Sequence, residues 1–176
     1  MLMIVKAPND ILTTPVKPVK TIDGKIAKLV KEMTETLEAQ TDPQGVGLAA
    51  PQIGKNLSIF IIKPTPKSEV EAFINPKIIT QKDAQAKRSK KKQKQPLEGC
   101  LSIPRIWGHV KRYSKVRLEY QTLTGKKLTK WFGSFKAIVI QHEVDHLNGI
   151  LFTHRVLEQN HPLYEEKETK LEKLEY

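Results

Sequence analysis

The chain has 176 residues, 39% of them hydrophobic and 28% charged, which suits one soluble domain with a real core and leaves too little length for two. No apolar run is long enough to span a bilayer and Met1–Val5 is too short for the core of a secretory signal, so no membrane partner and a cytoplasmic location are expected. The net charge of +11 is uneven: Lys82–Lys94 holds seven Lys or Arg and one Asp, more than half the excess, and reads as a solvated basic loop over about 82–95 with no motif for specific DNA binding.

In chain order, Thr21–Gln40 places Ile22, Ile26, Leu29, Val30, Met33 and Leu37 three and four apart, an amphipathic helix with Asp23 or Thr21 as its cap. Next comes GVGLAAPQIG, Gly45–Gly54, whose Gly45-x-Gly47-x-x-Ala50 fits a loose dinucleotide fingerprint. The context excludes a nucleotide loop, because the stretch follows a helix and runs through Pro51 towards a strand. Ser58–Ile62 and Ala72–Thr80 are short, apolar and β-branched, as buried strands are. Lys115–Thr122 and Lys126–Phe132 flank a Thr124-Gly125 turn and read as a hairpin. A helix follows, with Ser134 as cap and Gly149 as stop. The charged tail at about 160–176 has Leu171 and Leu174 three apart, which fits either a short surface helix or a frayed end.

The second helix carries the chemistry. Phe135, Ile138, Val139, His142 and His146 share one face, so the two histidines continue an apolar stripe where their ring nitrogens need partners. His-Glu-x-x-His on a helix aims two imidazoles at one metal ion with Glu143 beside them. A catalytic site of this kind needs a third protein ligand. Phe152 occupies the position where a longer motif would put a third histidine. Cys100, the lone cysteine, sits in Glu98-Gly99-Cys100-Leu101-Ser102 and is favoured, since a thiolate is a strong ligand for a borderline metal. Glu165 or Glu166 in the charged tail is the alternative, which would make a zinc endopeptidase. His109, His154 and His161 show no ligand-like spacing and read as surface or structural residues.

Three motifs in order, GVGLAAPQ (Gly45–Gln52), EGCLS (Glu98–Ser102) and HEVDH (His142–His146), make the sequence resemble the peptide deformylase family. Weaker similarity runs from DILTTPVKPV through FINPKI to about Arg155. The resemblance implies an α+β, peptide-deformylase-like fold with strands around the helix bearing HEVDH. It implies a single catalytic domain over 1–176 that hydrolyses the N-formyl group of formylmethionyl peptides. Cys100, His142 and His146 would hold one divalent metal, commonly Fe²⁺ in the family with Zn²⁺, Ni²⁺ or Co²⁺ able to replace it. Glu143 would be the general acid/base, and Gln52 with the backbone N–H of Leu101 would hold the oxyanion. By resemblance and spacing, Val46, Ile138, Val139 and Leu97 wall the methionine pocket, and Gly45, Gly47 and Gly99 leave room for an extended peptide.

Two departures from the family pattern stand out. The segment between FINPKI and EGCLS is longer and more basic, which suggests a ribosome contact through Lys82–Lys94. Trp107 stands where some members carry an Arg or Tyr facing the peptide; it either stacks on the peptide backbone or packs as an ordinary amphipathic ring. The non-enzymatic alternative, a basic accessory protein binding RNA on the same fold, has against it that every proposed catalytic residue is present.

Overall fold

A computed structural model describes residues 1–83, 96–168 and 170–175. The helix expected near the start is α1, Gly24–Glu38, and Asp23 caps it by accepting hydrogen bonds from the N–H groups of Lys25 (3.0 Å) and Ile26 (3.2 Å). Its stripe of Ile26, Leu29, Val30, Met33 and Leu37 is buried.

Five antiparallel strands form the larger sheet in the order β1 (Gly47–Ala49), β2 (Ile59–Ile62), β3 (Glu71–Lys82), β6 (Lys115–Gln121) and β7 (Lys127–Gly133). Every residue of β2, the run Ile-Phe-Ile-Ile, is fully buried. The cause is that both faces of the sheet are covered. Ile59 and Ile61 pack with Leu48, Ile74 and the stripe of α1, whereas Phe60 and Ile62 pack with Phe73, Val116, Leu118 and the helix α2, Ser134–Leu147. A strand buried on both faces loses the polar alternation of a half-exposed one. Phe73 centres the second layer, with Phe60 and Tyr120 each 4.7 Å away between ring centroids.

The smaller sheet has the order β4 (Leu97–Cys100), β5 (Ile103–His109), β8 (Leu163–Lys167) and β9 (Lys170–Lys173). A short helix α3, Phe152–Glu158, packs on it through Phe152 and Val156, with Cys100, Val110 and Leu163. The tail is therefore neither a helix nor a frayed end: its first part is a hairpin whose β8 adds to the edge of β5 at Ile106, Trp107 and Gly108. Backbone pairing holds it, and β9 is exposed throughout, so no hydrophobic period marks it in the sequence.

Ser134 does not cap α2. It is the first helical residue, with φ +54° and its N–H bonded to Ser114 O, and Gly133 occupies the cap position with no side-chain bond. The stop is as expected: Gly149 has φ +70° and passes so close to the Thr13 backbone that a side chain there would collide. Of the basic run, Lys82 and Asp83 are described, with Lys82 ending β3, and residues 84–94 lie outside the described residues.

Candidate metal centre

α2 delivers His142, Glu143 and His146 from one side, and β4 delivers Cys100 from the other. The ligand atoms of Cys100, His142 and His146 lie within 4.8 Å of one another, the one such group of three or more found among the described residues, and Cys100 Sγ is 3.2 Å from His146 Nε2. Two imidazoles and a thiolate at this spacing fit a divalent transition-metal ion. The tail carboxylates are engaged elsewhere: Glu166 accepts from the Trp107 indole at 2.9 Å, and Glu165 pairs with Lys167 at 3.4 Å. Among the described residues it is therefore Cys100, and neither Glu165 nor Glu166, that is grouped with the two histidines.

The charges around the site favour a cation. Burial raises the Cys100 pKa, yet the nearby His146 and His142 imidazoles outweigh it and hold the thiol well below its ordinary value, towards the ligating thiolate. Burial lowers the His142 pKa, and Cys100 and Glu98 together push it well above the ordinary value. Burial raises the Glu143 carboxyl to about 7 against the pull of the two imidazoles. A carboxyl so placed can accept and return a proton near neutral pH. Its Oε2 and His146 Nδ1 are the buried side-chain atoms without a hydrogen-bond partner among the described residues.

A charged relay that the sequence did not announce backs the ligands. His142 Nδ1 lies 3.1 Å from Glu98 Oε2, and Glu98 takes a bidentate pair from Arg112 Nε (2.9 Å) and Nη2 (3.0 Å). Arg112 continues to Asp145 at 2.5 Å, and Asp145 also binds Arg155 at 2.8 Å. Burial opposes ionisation of Glu98, but His142 and Arg112 carry its pKa down to about 2. Such partners fix ring orientation and the choice of ligating nitrogen. Glu98 and Asp145 lie inside EGCLS and HEVDH, so their motifs were the available signal; Arg112 carried none.

Gln52 lines the same cleft as Cys100, and its amide is oriented: Oε1 accepts from Ala49 N–H at 2.8 Å, which turns Nε2 towards Cys100 Sγ (3.5 Å) and Ser102 Oγ (3.3 Å). The cleft beside the metal group is lined by Val46, Leu97, Ile138 and Val139, the residues assigned to the methionine pocket, by Leu101, and also by Gln44, Trp107 and Phe135. Gly45, Gly47 and Gly99 line it too, but the space their side chains would fill is taken by the protein's own atoms. Leu37 fills it at Gly45, the Glu143 carboxylate at Gly47 and the Trp107 ring at Gly99. His154 and His161 serve structure, bonding the Leu151 N–H (3.4 Å) and the His109 carbonyl (2.8 Å).

A motif helix meeting a strand cysteine beside an apolar cleft has the donor set of a metal-dependent hydrolase. Comparison with known proteins names the family: the profile described as polypeptide deformylase matches residues 1–161, and the chain belongs to the peptide deformylase family. It is 34% identical over 174 residues to the peptide deformylase of Desulfotalea psychrophila, covering 97% of this chain and 96% of that one. Its fold is similar to that of a peptide deformylase from Synechococcus elongatus in complex with actinonin, with a TM-score of 0.77, 33% identity and coverage of 90% and 84% of the two chains. A class I type b peptide deformylase from Acinetobacter baumannii bound to Met-Ala-Ser aligns with a TM-score of 0.76 at 32% identity, covering 89% and 98%.

Proposed function

We propose that the protein removes the N-formyl group from the formylmethionine of newly made peptides, releasing formate, with Cys100, His142 and His146 holding one divalent metal ion. The observation that carries this reading is Glu143, a carboxyl 3% exposed with an unpartnered oxygen, beside three metal donors at the base of an apolar cleft. When bound, the ion supplies a Lewis acid that polarises the formyl carbonyl and lowers the pKa of the attacking water towards about 7. Glu143 takes the proton from that water and returns it to the leaving nitrogen. Gln52 Nε2, its amide fixed by Ala49, donates with the Leu101 N–H to the oxygen on which charge collects. Val46, Leu97, Ile138 and Val139 hold the methionine side chain.

In this reading the native ion is Fe²⁺, with Zn²⁺, Ni²⁺ or Co²⁺ accepted by the same thiolate and imidazoles, and the reaction takes place in the cytoplasm. The test is formate release from formyl-Met-Ala-Ser by protein purified without oxygen, with metal analysis of the same sample. Glu143→Ala keeps the metal and loses about two to four orders of magnitude in turnover, whereas Cys100→Ala loses the metal. Full formate release by Glu143→Ala protein refutes the mechanism.

A ribosome contact has its own support. Trp131 is 45% exposed on β7, Lys82 Nζ lies 5.4 Å from its ring centroid, and exposed Lys115 and Arg117 pair in register with Gly133 and Trp131 on β6 and β7. An exposed aromatic ring among cations suits RNA, and the basic run begins at Lys82. Co-sedimentation with ribosomes that weakens with salt and is lost on Trp131→Ala or on deleting residues 84–94 supports this contact. Binding that survives both changes rejects it.

A further inference from the structure

Trp107 stands where the cleft meets the C-terminal hairpin. Its half-buried ring lines the cleft and lies flat over Gly99, its register partner on β4, where a Cβ would approach within 2.8 Å of Cε3 and Cζ3. Across the strand on the other side, Tyr164 of β8 is its register partner. The indole N–H donates to Glu166 Oε2 at 2.9 Å. A glycine beneath the ring and a charged acceptor at its nitrogen restrain it from two directions.

Side-chain burial adds little to the backbone pairing that holds the hairpin. β9 is exposed along its length, and beyond Leu163 no residue of β8 is fully buried. Glu166 is thus a charged side chain of a weakly buried element spent on one ring of the substrate cleft.

We infer that Glu166 is a positioning residue: it holds Trp107 as the wall that meets the peptide beyond formylmethionine, so the C-terminal hairpin sets preference for the following residues. The inference rests on the deformylase reading. Trp107 lies on the smaller sheet with Leu97, whereas the other three walls of the methionine pocket, Val46, Ile138 and Val139, come from the α1–β1 connection and α2. The ring is therefore placed to read a different part of the peptide.

The experiment compares formyl-methioninamide, the shorter substrate, with formyl-Met-Ala-Ser on the full chain. Trp107→Ala and Glu166→Ala each raise KM for the longer peptide, by about fivefold if one aromatic contact is lost, with kcat unchanged and the shorter substrate little affected. Glu166→Gln keeps an acceptor oxygen and restores the wild-type KM. The double variant Trp107→Ala/Glu166→Ala is no worse than Trp107→Ala alone. The chain has two tryptophans, so a Trp131→Phe background isolates Trp107 emission. There Met-Ala-Ser changes the emission, and Glu166→Ala alters the free protein's spectrum and weakens the peptide response. The inference is overturned if Glu166→Ala leaves the longer peptide's KM unchanged, if both substrates lose kcat alike, or if Glu166→Gln behaves as Glu166→Ala. Wild-type protein that releases no formate from either substrate rejects the deformylase reading instead, and the emission titration still decides whether Trp107 meets a peptide.

Discussion

Gly47→Ala is the sharpest probe of how the acid/base residue is held. The glycine and Glu143 face each other so closely that an added Cβ would overlap the Oε1 atom and stand 2.8 Å from Cδ and 3.1 Å from Cγ, where ordinary contact begins at 3.4 Å. The methyl group cannot retreat, because it is fixed to β1, whose three residues are all buried and paired with β2. Glu143 must move instead, from a helix buried on the sheet. Displacing its carboxylate by about 1 Å lowers kcat by roughly a hundredfold, and overpacking lowers stability by about 1–3 kcal/mol. Formate release gives kcat, thermal denaturation gives the stability loss, and metal analysis distinguishes a displaced Glu143 from a lost ion. The variant keeps its metal, since the three atoms nearest the added methyl all belong to Glu143 and none to a ligand residue. A Gly47→Ala enzyme with wild-type kcat refutes the claim that this close approach positions the carboxylate.

The relay and the core yield further expectations. Arg112→Leu leaves Glu98 and Asp145 without their shared buried partner and costs about 3–5 kcal/mol in denaturant unfolding; a loss under 1 kcal/mol speaks against the relay. Phe73→Ala opens a cavity among Phe60, Tyr120 and Phe132 and costs about 3–5 kcal/mol by the same assay, without changing the metal content of the folded protein. Chelation lowers the unfolding temperature by removing a ligand of the folded state. It also makes Cys100 faster to react with a disulfide reagent, because its thiolate is no longer shared; an unchanged rate argues against Cys100 as a ligand.

Legibility in the sequence followed how each element is stabilised. α1 has one wet and one dry face, so its stripe and its Asp23 cap were readable. The β6–β7 hairpin alternates around Thr124-Gly125 and was equally plain. For α2 the sequence offered a stop at Gly149 and a stripe of Phe135, Ile138, Val139, His142 and His146, but the helix is buried on several faces, with Ala137, Gln141 and Asp145 interior and Phe135 exposed, so the stripe describes it only in part. β4 and β5 escaped notice because Gly99, Pro104 and Gly108 interrupt any period, and α3 is only seven residues long. The β8–β9 hairpin is held by backbone bonds, to which side-chain patterns are blind. The candidate metal donors Cys100, His142 and His146 were legible because ligation demands particular residue types at particular spacings. Arg112 was not, because nothing local marks an arginine whose partners lie 14 and 33 residues away.

The burial of α2 has a consequence for how this cleft can diversify. Its side chains serve the interior and the reaction from the same turns: Val139 belongs to the core cluster and to the cleft wall, and Glu143 lies between the two ligands. A substitution there that retunes the pocket also disturbs the packing, so the helix is closed to gradual change. The rim is different. Gln44 on the α1–β1 connection, Trp107 on β5 and Phe135 in the first turn of α2 are half-buried or exposed, so each can be exchanged with little cost to the interior. New peptide preferences on this scaffold should therefore accumulate at the rim while the buried turns of α2 stay as they are.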